Sequence, residues 1–188
     1  MSVVLEQQRA GQLGRQQAVH LLAGVALALT VGVLVHELGH AAAAWLLGGR
    51  GVRLDLWAWP PRTLYAGAFS PAGWAWIDMA GGLATFVGGV LLAAASRRWG
   101  ARGSWVRDVG GSAGGAMAII DNTQWVVLPV RYAISPSYRL NMRWQVHHGL
   151  KLVPDSIKFL VRTHLPPLVV AMVAAELMVW YTGVFLVE

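Results

Sequence analysis

The sequence contains no cysteine, which excludes a disulfide framework, a thiolate metal site and a cysteine nucleophile. It is also poor in charge. Asp, Glu, Lys and Arg make up 13% of the 188 residues, against roughly 25% in an ordinary soluble domain. That deficit, together with 56% hydrophobic residues and a mean hydropathy of +0.50, excludes a solvated globule and a disordered chain. Acidic residues are the scarcer class, 9 against 15 Lys and Arg, for a net charge of +6. The cations fall between apolar runs, where they set topology and meet anionic headgroups. The excess charge therefore points to a lipid surface as partner and not to nucleic acid. What the chain has in quantity is 22 Gly and 10 Trp, the first allowing close helix contact and the second favouring the membrane–water boundary. These features predict one polytopic membrane domain.

Residues 1–18 are polar and Gln-rich and are expected to form an interfacial or disordered arm, leaving a single membrane-embedded domain over 19–188. Four apolar runs, at about 19–47, 74–95, 109–130 and 165–187, each meet the roughly 20 residues that a spanning helix needs. The first is longer than a hydrocarbon core and must tilt or project. Pro166 and Pro167 stand at the start of the fourth, where a missing amide donor matters least. Residues 50–70 have another character: 52–57 alternate, Pro60-Pro61 interrupts, and 63–69 resume in extended style. This predicts a β-hairpin, with Trp57 and Trp59 suited to the headgroup zone. Between 131 and 164, Arg131, Arg139, Arg143, Lys151, Lys158 and Arg162 alternate with apolar residues, predicting one or two amphipathic interfacial helices. The expected fold is an all-α membrane protein, with about four transmembrane helices, a small β-hairpin insertion and amphipathic interfacial helices. Its expected location is a cell membrane, as a multi-pass protein.

The first run contains His36-Glu37-Leu38-Gly39-His40, an H-E-x-x-H pattern. Residues four apart on a helix lie about 40° apart in rotation and one turn apart in height. Two imidazoles so placed can each offer one nitrogen to a zinc ion, while the glutamate accepts a proton from water there without being a ligand. Histidine pairs also arise in ordinary helix packing. In an apolar span, however, an unpaired carboxylate beside two imidazoles costs several kcal/mol to bury, and a divalent cation offsets that cost. His36 and His40 are thus expected metal ligands and Glu37 the expected catalytic base.

With these residues the chain resembles the site-2 protease family of intramembrane zinc metalloproteases. The resemblance rests on residues 36–41 (His-Glu-Leu-Gly-His-Ala), the hairpin after them, and Ala80-Gly81-Gly82-Leu83-Ala84, which is similar to the family's Ala-Gly-Pro segment with glycine for proline. It implies a third zinc ligand, an aspartate from a later helix, usually within Leu-Asp-Gly. This chain has no Leu-Asp-Gly, which aligns it with a divergent branch. Asp155, in Pro154-Asp155-Ser156, resembles that variant branch, where an aspartate with a small neighbour precedes a short helix and the final span. Asp121, in the third apolar run, matches His36 and His40 in depth. Asp155 is the expected ligand and Asp121 the alternative. Asn122 resembles the asparagine that family members supply near their site, and is expected to hydrogen-bond the carbonyl under attack; the competing role is an interhelical packing bond. Asp78 is read as complementing the positive end of the second helix, Glu176 as paired with a neighbouring helix, and His147 and His148 as interfacial.

The resemblance implies a zinc-dependent endopeptidase with Zn2+ as cofactor and a transmembrane segment of a membrane protein as substrate. One edge of the hairpin is expected to receive that segment by strand addition. The alternatives are a non-proteolytic zinc-binding membrane scaffold or a small transporter on the same fold. The sequence specifies no oligomeric state.

Overall fold

A computed structural model describes residues 2–150 and 153–185. The chain is mostly helical. Helix α1 (Ser2–Leu46) leads into a hairpin of β1 (Arg50–Asp55) and β2 (Arg62–Ala66), followed by α2 (Pro71–Trp99) and α3 (Trp105–Ile120). A 3₁₀ turn (Asp121–Thr123) joins α3 to α4 (Gln124–Ile134), and α5 (Pro136–His147), α6 (Asp155–Thr163) and α7 (Pro167–Phe185) complete the order.

Residues 2–18, expected as an interfacial or disordered arm, are helical and continuous with the first apolar run: α1 starts at Ser2 and extends over 45 residues. Residues 2–18 hold no proline and many good helix formers, so nothing interrupts the helix. The third apolar run is not one regular α-helix. Asp121, Asn122 and Thr123 fall together in its middle, and two of them bond back to local carbonyls: Asn122 Nδ2 donates to the Ala118 carbonyl (3.2 Å) and Thr123 Oγ1 to that of Ile119 (2.8 Å). Such back-bonding competes with regular helix, and the run divides into α3, the 3₁₀ turn and α4. Three helices among the described residues are each long and apolar enough to cross a membrane: Gly14–Leu46, Pro71–Trp99 and Pro167–Val184.

Helices α1, α2 and α3 pack against one another. Small residues make this possible. A Cβ built on Gly89 of α2 would lie 2.5 Å from the Gly114 carbonyl oxygen, and one on Gly114 of α3 would lie 2.5 Å from that of Gly89. No larger residue fits at this crossing. Side-chain caps set the helix starts: Ser70 accepts from Gly73 N–H before α2, and Ser104 from Arg107 N–H before α3.

The expected hairpin is present, with β1 and β2 antiparallel in the register Arg53↔Leu64, Leu54↔Thr63 and Asp55↔Arg62, and a bulge between Arg50 and Arg53. Trp57 and Trp59 at its tip are almost wholly exposed. Of the expected interfacial segment, α4 takes the first residues, and α5 and α6 are the two short helices; Lys151 lies outside the described residues, as do residues 186 and 187 of the fourth run. Helix α6 does not lie loose on a surface. It buries Ser156, Ile157 and Leu160 and packs on α2 and α4. Arg162 of α6 donates to Asp78 of α2 and to the Trp74 carbonyl (3.2 Å), with its guanidinium 4.8 Å over the Trp74 ring. Asp78 is therefore a buried ion-pair partner in the third turn of α2, not a group complementing the helix end.

Candidate metal centre

One turn of α1 carries His36 and His40 on the face packed against α2. The Nε2 atoms of the two rings lie 3.0 Å apart. Asp155, the first residue of α6, brings Oδ2 to 3.2 Å from each of them. The outer nitrogens are held elsewhere: His36 Nδ1 is 2.8 Å from Asp121 Oδ2 and His40 Nδ1 is 2.6 Å from the Ile77 carbonyl oxygen. A carbonyl only accepts, so His40 Nδ1 carries the proton and donates; in the neutral ring Nε2 then presents a lone pair. The Asp121 carboxylate imposes the same tautomer on His36. Two imidazole lone pairs and one carboxylate oxygen thus converge with no protein donor between them, an arrangement that a cation would satisfy.

The three ligand atoms form a group able to hold a metal ion. Atoms bound about 2.0–2.1 Å from a tetrahedral zinc stand about 3.3 Å from one another, close to the separations here. The neighbouring backbone leaves the room required. A Cβ on Gly81 of α2 would lie 2.5 Å from His40 Nε2 and 2.6 Å from His36 Nε2, so any side chain at this position would fill the space in front of both nitrogens. Nitrogen and carboxylate donors also suit zinc, and three of them leave one position open.

Asp155 Oδ1 accepts from Lys158 Nζ at 2.9 Å, one turn along α6, which leaves Oδ2 for the cluster. Burial raises the pKa of the Asp155 carboxyl, and the Lys158 charge beside it acts in the opposite direction. Asp121 Oδ2 also accepts from Thr85 Oγ1 at 2.5 Å. Glu37 is nearly buried, and the Thr63 hydroxyl of β2 lies 2.8 Å from its Oε2 and 2.7 Å from its backbone carbonyl.

Two cavities meet at Glu37. One, of about 240 Å³, is apolar and runs between α1 and α3 past Gly32, Val33, Met117 and Ile120 to His36. The other, of about 630 Å³, is more polar and is bordered by β2 residues 62–65, His40, Gln124, Asp155 and Lys158. Glu37, Pro60 and Pro61 line both. Tyr65 borders the polar cavity, and burial, aided by the Asp78 charge, pushes its phenol up to about 12.

The structure thus brings His36, His40, Asp155 and Glu37 together. It sets Asp121 against the outer nitrogen of His36 and not among the converging atoms. Asn122 does not reach the cluster: its amide is tied to the Ala118 carbonyl, and its side chain lines a separate apolar cavity of about 260 Å³ between α2, α4 and α7. Its expected contact with a reacting carbonyl draws no support from this placement. Thr63, Thr85 and Gly81 carried no sequence signal strong enough to assign them; Lys158, three residues after Asp155, was findable from helical spacing. Compared with models of protein families, with curated proteins and with solved structures, the chain matches none.

Proposed function

We propose that this chain is a zinc-dependent intramembrane endopeptidase of the site-2 protease type, a multi-pass protein of a cell membrane that cleaves transmembrane segments of other membrane proteins. The observation that carries the reading is the convergence of His36 Nε2, His40 Nε2 and Asp155 Oδ2 beside Glu37, at the junction of an apolar and a polar cavity. His36, His40 and Asp155 would hold the metal. When bound, zinc supplies Lewis acidity, polarising the scissile carbonyl and acidifying water.

The remaining work falls to the chain. Glu37 accepts the proton of the attacking water and returns it to the departing amine, so one carboxylate serves as base and then acid. Thr63 orients that carboxylate by hydrogen bonding to Oε2. Asp121 and the Ile77 carbonyl keep the lone pair of each imidazole turned inward. The cavity between α1 and α3 admits an apolar segment from the lipid, and the polar cavity admits water. Strand β2 borders that polar cavity, so its free edge is where an unwound substrate segment adds as a further strand.

The test is cleavage of a reconstituted single-span substrate in vesicles. Wild type cleaves, and Glu37→Gln loses turnover by about 10²–10⁴-fold while still holding metal. A non-proteolytic scaffold would cleave in neither form, and a transporter would instead move an ion across sealed vesicles.

A further inference from the structure

Helix α7 is apolar along its length except for Glu176, its only charged residue. Glu176 lies nine residues from either end of Pro167–Phe185, roughly 13 Å from each, and so sits at mid-depth of a membrane span. Expected to pair with a neighbouring helix, it does not: it is exposed, with no hydrogen bond or ion pair among the described residues. The inward face of α7 explains this. Ala171 and Tyr181 are the buried residues of the helix, five positions before and after Glu176, each about 140° around the axis from it. The carboxylate therefore points diametrically away from the rest of the protein.

The residues around it form a seam. Val169, Met172, Glu176, Val179 and Gly183 recur at spacings of three and four and are all exposed, Val179 by 71% and Met172 by 69%. That is the a/d spacing by which two helices pack with a left-handed twist, and a polar residue at a central a position sets register and partner choice. A Cβ on Gly183 would meet nothing within 4 Å, so packing inside this chain does not require the glycine.

We propose that this outward face of α7 is a docking surface for a transmembrane helix of another protein carrying a lysine or arginine at mid-depth, which pairs with Glu176. Charge complementarity selects the partner. A second copy of this chain supplies no such lysine or arginine, because those of its other candidate spans, Arg15, Arg97 and Arg98, lie near the ends of the spans. A lone carboxylate facing lipid is expensive, and such groups mark functional contacts. The inference does not depend on the metal centre.

The test is energy transfer between labelled full-length protein and synthetic 23-residue polyleucine helices in phosphatidylcholine vesicles, one with a central lysine and one without. Wild type is expected to associate with the lysine peptide about tenfold more tightly than with the plain one, and Glu176→Leu to lose that preference. Glu176→Leu removes a lipid-facing charge and leaves the packed face untouched; an unaltered thermal unfolding curve in detergent serves as the check on folding. Equal association of wild type with both peptides would overturn the proposal. So would self-association of wild type that Glu176→Leu abolishes, which would assign the surface to a second copy.

Discussion

The hydroxyl of Thr63, on the second strand of the hairpin, stands 2.8 Å from the carboxylate of Glu37 on the first helix. A strand that borders the cleft thus holds the proposed base. Thr63→Val removes the donor and is expected to lower turnover about tenfold or more, the worth of a hydrogen bond to a charged group. Thr63→Ser restores it, and metal content stays unchanged in both. Turnover in vesicles, measured alongside bound metal, checks this.

Asp121 and Asp155 touch the same imidazole through different nitrogens, which separates their expected phenotypes. Asp121→Ala leaves all three converging atoms in place but frees His36 to rotate and change tautomer. It is expected to weaken metal affinity about 10–100-fold, measured by competition with a chromophoric chelator. Asp121→Asn, which still accepts a hydrogen bond, recovers part of the loss.

At Gly81 the prediction is steric. A methyl group here would lie 2.5–2.6 Å from both Nε2 atoms, so Gly81→Ala is expected to abolish metal binding although no donor is altered. Gly82→Ala is not an equivalent control, since its Cβ would meet Trp125 Nε1 at 2.5 Å; Leu83→Ala on the same turn is, and is expected to retain metal.

Much of this was legible in the sequence, for reasons that can be named. His36, Glu37 and His40 were readable because a helix turns their spacing into geometry. The hairpin was readable because alternation and the Pro60-Pro61 break are local. Less local features were not. Whether Asp121 or Asp155 meets the imidazoles depends on how α6 docks, and Arg162 sets that docking by pairing with Asp78 eighty-four positions away. The 3₁₀ turn within the third apolar run was not legible because hydropathy averages over Asp121, Asn122 and Thr123. Asn122 looked useful on chemistry and depth alone; its rotation about the helix sends it to the far side of α2.

The Arg162–Asp78 pair yields a stability prediction. Asp78 is almost fully buried, so Arg162→Leu leaves a carboxylate without its partner and is expected to destabilise the protein by about 3 kcal/mol. Arg162→Leu combined with Asp78→Leu is expected to recover much of that loss. Thermal unfolding in detergent is the measurement.

The most direct test of the central claim is metal content of the purified protein by mass spectrometry, for wild type and Asp155→Ala. The account predicts about one zinc per chain in the wild type and a loss of nearly all of it in Asp155→Ala. Full metal content in Asp155→Ala, or none in the wild type under zinc-replete purification, would contradict it.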